Sequence, residues 1–365
     1  MHAAESEACA EAAAEQRNLY LLQEKLFSIV QFRNYQTILI IGGFLMKKVK
    51  PIMLFILAIF MITVLSACRQ KEEQTNARSD NQKINVVTTI FPEYDFVRQI
   101  AGDHVKLSML LPPGSESHSF EPSPQDIISI DHSDLFVYVG GDSDEWIADI
   151  LDSIDHSMDI VKLMDCVKVV EEETVEGMQP EEEEADSEEA ENDEHVWTSP
   201  KNAVSIVEKL RDELCRLDPD NAADYKKNTE EYVKKLNDLD KEFREIVEQS
   251  ERTEIVVGDR FPFRYFTDAY GLKYYAAFPG CSNETEASAA TVAFLIDKVK
   301  EDKIPVVFHI ELSNEQMCAS ICSATGAKKE LLNAVHNVSK ADFDAGVTYL
   351  ELMEHNAKAL KEALN

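Results

Sequence analysis

From Ile84 to the C-terminus, short runs of β-type residues alternate with helical segments, and this alternation limits the chain to parallel sheets with crossover helices. Parallel neighbours need a long connection between them, and the helix that supplies it covers one face of the sheet. Runs 84–90, 105–111 and 135–140 are predicted strands of a first half, and runs 254–257, 273–278 and 304–310 of a second. Predicted helices fall between them at 94–101, 124–132 and 145–154, then at 260–270, 288–302 and 315–325. The pattern occurs twice. The expected fold class is therefore α/β, with two lobes that are each a mostly parallel sheet flanked by helices.

Residues 221–249 separate the halves. Tyr225, Tyr232, Leu236, Leu239, Phe243 and Ile246 recur there at helical spacing with no internal Gly or Pro. Read as one helix the segment spans about 44 Å at 1.5 Å per residue, the length of a whole lobe. Two shorter helices with an unmarked break are the other reading. One stiff rod joining an N-terminal lobe at 84–220 to a C-terminal lobe at 250–365 would restrict hinge motion.

Charge narrows the partners. With 36 Lys+Arg against 68 Asp+Glu the net charge is −32, which excludes a phosphate backbone as the natural ligand and favours cations. Residues 171–194 carry 14 acidic residues in 24 and no Lys or Arg, so the block repels itself and is expected to be a solvated, mobile loop. Solubility alone accounts for it. Its position just before His195 adds a second expectation, that its potential concentrates cations near that residue in a salt-sensitive way.

The segment 46–68 is an address label. Lys47, Lys48 and Lys50 precede an apolar stretch at 52–65, too short for a comfortable span, and Ser66 and Ala67 lead to Cys68. This resembles a bacterial lipoprotein signal with a Leu-Ser-Ala-Cys lipobox. The resemblance implies cleavage before Cys68 and its lipidation, which places the rest of the chain outside the cytoplasm, anchored to the cell membrane. Residues 1–45 then read as an upstream-start artefact or a non-mature extension, and 69–83, polar and without apolar period, as a flexible tether.

Open parallel sheets bind ligands outside the carboxyl ends of their strands. The polar residues there are His118 and Glu121 in PPGSESHSFEPSPQD, Asp259 in GDRF and His336 in LLNAVHNVS, with His195 ending the acidic block in DEHVWTSPKNA. Imidazoles with a carboxylate suit zinc and tolerate manganese. Histidines 104, 132, 156 and 355 read as surface residues, and His309 as part of a strand. Cys318 and Cys322, at i and i+4, read first as a buried helix face, with soft-metal binding or a disulfide as the alternatives; Cys281 in FPGCSNETEAS is open to either reading.

The lipobox, the two His-containing phrases, the long linking helix and the C-terminal AGVTYLELMEHNAKALKEAL together resemble the zinc/manganese solute-binding lipoproteins of bacterial ABC importers, over residues 84–365. The resemblance implies two α/β lobes tied by one rigid helix. It also implies a monomer that holds one Zn2+, or alternatively Mn2+, in the cleft with two ligands from each lobe and passes it to an ABC permease. His118 and His195 match the first-lobe ligands. The third ligand position falls on Arg260, whose guanidinium cannot coordinate a cation, so the neighbouring Asp259 is the expected ligand; the fourth falls on His336. Glu121 and Glu311 are expected to orient imidazole N–H groups. The rival reading of a lipid-anchored metal-dependent hydrolase wants an open metal position and a base, and the chain has no HExxH. A surface adhesin or metal sensor on the same fold is a third.

Overall fold

The computed structural model describes residues 83–154, 158–179, 191–282 and 287–365. The extension 1–45, the signal segment with Cys68, and the tether up to residue 82 lie outside the described residues.

The first lobe contains β1 (Ile84–Thr88), α1 (Phe91–Ala101), β2 (Val105–Met109), α2 (Pro124–Asp131), β3 (Leu135–Tyr138), α3 (Glu145–Ser153), β4 (Asp159–Lys162) and α4 (Pro200–Leu217). After α5 (Ala222–Glu248) the second lobe contains β5 (Glu254–Phe261), α6 (Arg264–Tyr270), β6 (Lys273–Pro279), α7 (Ala289–Glu301), β7 (Val306–His309), α8 (Gln316–Thr325), β8 (Lys328–Leu331), α9 (Lys340–Ala345) and α10 (Tyr349–Ala363). Both sheets are parallel and share one strand order, β2-β1-β3-β4 and β6-β5-β7-β8. In each, the first strand lies between the second and third. The carboxyl ends of these central strands form the switch point at which open α/β sheets bind ligands.

The differences from expectation have local causes. Strands β4 and β8, DIVK and KKEL, are edge strands too short and too charged to show an apolar run, and charge at an edge discourages pairing with another chain. Strand β5 runs on to Phe261 rather than stopping at Val257, with its pairing to β6 shifted between Val257 and Arg260. Asp259 and Arg260 therefore belong to a strand, and α6 starts only at Arg264.

Helix α5 is one unbroken rod of 27 residues, about 40 Å long. Its buried stripe is Tyr225, Thr229, Tyr232, Leu236, Leu239, Phe243 and Ile246. On the opposite face Lys227–Glu231, Lys234–Asp238, Lys241–Glu245 and Arg244–Asp240 pair at i, i+4, each worth only a few tenths of a kcal/mol in water. Burial of the apolar stripe against α4, α1 and α10, not these pairs, fixes the helix in place.

The rod is not the sole tie between the sheets. Asp95, fully buried on α1, accepts from Arg98 Nη2 at 2.6 Å, from Gln99 Nε2 at 3.0 Å and from the Tyr349 N–H at 2.7 Å, capping the start of α10. The loop after β8 reaches across the cleft. There Phe91 N donates to His336 O at 3.1 Å, Gly114 N to Val338 O at 2.8 Å, and Asn337 Nδ2 to the carbonyls of Pro112 and Ser115 at 2.8 and 2.9 Å.

The acidic block also departs from a free loop at both described ends. Glu171 bridges Asn192, Glu172 N donates to Glu191 O at 2.8 Å and Asp193 N to Val170 O at 2.9 Å. Met178 is buried and Gln179 N donates to Ala277 O at 2.9 Å. Residues 180–190 lie outside the description. Among the described residues no helix is long and apolar enough to cross a membrane.

Replacing Asp95 with Ala strands a buried N–H of α10 and a partly buried guanidinium, so urea unfolding should show a loss of about 3 kcal/mol. The exposed Asp103→Ala should change stability by less than about 0.5 kcal/mol, and equal effects would remove the tie at Asp95.

Candidate metal centre

Three imidazoles meet where the carboxyl ends of the two sheets face each other. His118 lies on the loop after β2, His195 directly before the turn that leads into α4, and His336 on the loop after β8. Their ring centroids are 5.7, 5.3 and 4.9 Å apart for the pairs 118–195, 118–336 and 195–336, and one ligand atom from each lies within 4.8 Å of the others. The Nε2 atoms of all three are buried and have no hydrogen-bond partner.

The other ring nitrogens explain that orphaning. His118 Nδ1 is 2.8 Å from Ser143 Oγ, which itself donates to Glu194 Oε1 at 2.5 Å, so the hydroxyl must accept from the ring. His195 Nδ1 is 3.2 Å from Asp193 Oδ1 and His336 Nδ1 is 3.3 Å from Glu311 Oε1, both carboxylate acceptors. In each ring the proton is thereby held at Nδ1 and the lone pair at Nε2 faces the cluster. Three convergent lone pairs with no donor among them are an arrangement a divalent cation satisfies.

The electrostatics differ ring by ring. Burial holds His118 well below the ordinary imidazole range, helped by His336, His195 and Arg260. Burial also lowers His336, against the pull of Glu311. For His195 burial acts the same way, but the Asp193 carboxylate, with Glu194 and Glu172 behind it, outweighs it and the pKa is raised. Trp197 walls the site: its indole donates to Ala334 O at 2.7 Å and its ring stands edge-on to His195 and His336. The His336 loop is strained into place. Val335 sits at φ 66°, a costly conformation for a β-branched residue, while both Glu311 oxygens grip the N–H groups on either side of it, Ala334 at 2.7 Å and His336 at 2.9 Å.

Of the expected ligands the structure brings together His118, His195 and His336 but not Asp259. Neighbouring residues of a strand point to opposite faces. The Asp259 carboxylate turns to Ser313, the Ile310 backbone and its neighbour's N–H, and burial raises its pKa; it belongs to none of the donor groups among the described residues. Arg260 instead bonds Glu116 Oε1 at 2.9 Å and Ser282 O at 3.2 Å. Glu121 is exposed, and the partners of the His118 ring are Ser143 and Glu194. Glu311 does contact the His336 ring. Sequence reasoning missed Asp193, Glu194 and Ser143. The first two stand beside His195 in DEHVWTSP but were absorbed into the acidic run, and Ser143 carries no sequence signal.

Comparison with known proteins places this geometry among others. The family described as zinc-uptake complex component A, periplasmic, matches residues 86–363. The high-affinity zinc uptake system protein ZnuA of Bacillus subtilis is 34% identical over 315 residues, covering 85% of this chain and 97% of that protein. The zinc-binding lipoprotein AdcA of Streptococcus pneumoniae is 32% identical over 325 residues, 87% of this chain but 61% of its own length, so the chain spans about three fifths of that relative. The crystal structure of the Zn(II)-bound ZnuA-like domain of that AdcA superposes with a TM-score of 0.65 at 32% identity, covering 77% of this chain and 99% of the domain. The metal-dependent lipoprotein YcdH of Bacillus subtilis gives 0.65 at 33% identity over the same shares.

One close approach in the site is directly testable. A Cβ at Gly280 would lie 2.9 Å from His195 Cε1 and 2.9 Å from the Phe261 carbonyl oxygen, a backbone atom with little room to yield. Gly280→Ala should therefore cost about 1–3 kcal/mol in chemical unfolding, and unchanged stability would show that the turn and the ring separate freely.

Proposed function

The chain belongs to the zinc-uptake component A family, and from that premise we propose that it is the extracytoplasmic solute-binding protein of a bacterial ABC importer, capturing Zn2+ at His118, His195 and His336. The observation that carries this reading is the set of three buried, unpartnered Nε2 atoms, each fixed by a carboxylate or a carboxylate-linked hydroxyl on the far side of its ring. Three imidazoles favour zinc over manganese, which prefers carboxylate and water, so Mn2+ is the weaker alternative. The relatives named as zinc-binding or zinc-uptake proteins support the same cargo. We read the protein as a lipid-anchored monomer held through Cys68, with the permease as recipient of the ion. The cargo is bound and released unchanged, which asks for no nucleophile or general base.

With Asp259 turned away, the ligand set is three neutral imidazoles rather than the four groups expected from sequence. Zinc prefers four ligands, so the remaining position falls to solvent or another small ligand. Burial keeps His118 and His336 neutral and open at Nε2, whereas His195, whose pKa Asp193 raises, gives up its Nε2 proton when the ion enters, so capture weakens as pH falls through the His195 range.

Competition against a chromogenic chelator tests the assignment on the metal-stripped chain. His118→Ala, His195→Ala and His336→Ala should each weaken zinc binding more than Ser143→Ala, which removes only a supporting hydroxyl and should cost about 10–100-fold. Asp259→Ala should leave affinity unchanged. Wild-type affinity in the three histidine variants would overturn the site, and a histidine-sized loss in Asp259→Ala would restore the four-ligand set.

A further inference from the structure

A second donor group adjoins the first. The ligand atoms of Glu194, His195 and Cys281 lie within 4.8 Å of one another, and neither Cys281 nor Glu194 is a member of the three-histidine set. Cys281 occupies the turn after β6, the turn whose Gly280 approaches the His195 ring so closely, and its N–H donates to Glu172 Oε1 at 3.1 Å. The thiol is free.

We propose that Glu194, His195 and Cys281 form an alternative cation position that competes with the zinc site for His195, is filled in its place, and takes a thiophilic divalent ion of the zinc and cadmium class. Thiolate, imidazole and carboxylate are the three donor types zinc uses, and the sulfur tilts the choice toward soft ions. Two unsatisfied atoms support the assignment. His195 is fully buried with Nε2 unpartnered, and Asp193 Oδ2 beside it is buried without a partner. Burial first, and then the carboxylates of Glu194, Glu172, Asp193 and Asp142, push the thiol well above its ordinary range, so it keeps its proton until a cation replaces it. Of these carboxylates Glu194 and Asp193 are buried, and buried negative charge is costly unless hydrogen-bond donors or a cation join it. Binding is an exchange without redox: Sγ–H gives its proton to solvent, a sulfur–metal bond forms and water leaves the ion.

Cadmium titration of the metal-stripped chain, read by sulfur-to-metal charge-transfer absorption in the ultraviolet, tests this. The wild type should develop the band, Cys281→Ser should lose it, and His118→Ala should keep it, because His118 does not belong to the second group. A wild type without the band overturns the proposal, as does a band surviving in Cys281→Ser, which would belong to another cysteine. Loss of the band in His118→Ala would make the thiol a fourth ligand of the histidine set and overturn a separate position. If the serine variant does not fold, alkylation of Cys281 mapped by mass spectrometry in the wild type decides: cadmium should protect it, and equal labelling with and without cadmium overturns the site. Failure of the zinc-import reading would appear instead as wild-type zinc affinity in His118→Ala, with the cadmium band untouched.

Discussion

The carboxylates behind the histidines are the constraint on which the rest of the site depends. An imidazole has two tautomers and a freely turning ring, and only an acceptor on one nitrogen commits the other to a cation. Asp193, Glu194 through Ser143, and Glu311 supply that commitment. Each also binds backbone. Asp193 takes the His195 N–H, Glu194 the Ser143 N–H, and Glu311 the two N–H groups around the strained Val335. The groups that orient the rings therefore also hold the loops that carry them, which is how a site made from loops acquires the precision of one built on strands.

That precision would be lost if the lobes moved freely. The linking helix alone would permit some rocking, but the loop after β8 is hydrogen-bonded to the loop that carries His118 through Val338 and Asn337, and to α1 through His336. Asp95 joins α1 to α10 in the core, and Tyr349 Oη donates to Trp197 O at 2.8 Å. Separating the sheets means breaking these buried bonds together, at about 1 kcal/mol or more for each. Release of an ion is accordingly cheaper by local movement of loops than by opening of the whole cleft.

Strand-helix alternation and the apolar stripe of 221–249 made the two lobes and the rod legible, because burial against a core imposes a period on the order of residues along the chain. The six stripe residues read from the sequence are all buried in the helix. His118 stood out by its place after a strand, His336 by its place after an apolar run, and His195 by the phrase that ends the acidic block. What stayed hidden depends on geometry that no local pattern records. The edge strands DIVK and KKEL lack an apolar run. The side to which Asp259 points follows from how far β5 extends and from its register shift at Val257. Asp193 and Glu194 look the same in sequence as the solvated acids before them, and only the short ladder at Glu171 and Asn192 turns them inward.

Arg260 gives the site its remaining character. A guanidinium bound to Glu116 and to the Ser282 carbonyl stands close enough to depress His118 and His336, at the position where the resemblance called for a ligand. A cation there repels the bound ion, whereas a carboxylate ligand would have neutralised half its charge. In the proposed site three imidazoles beside a positive charge hold a divalent ion less tightly than a set with an anionic member, and the carboxylates of Asp193 and Glu311, with Glu194 behind Ser143, restore part of that attraction at longer range. The balance suits a carrier, whose ligand must be held against dilution outside the cell yet surrendered to the next site. Moving the negative charge from the ligands to their supports keeps the rings oriented while leaving the metal–nitrogen bonds as the only contacts that have to break.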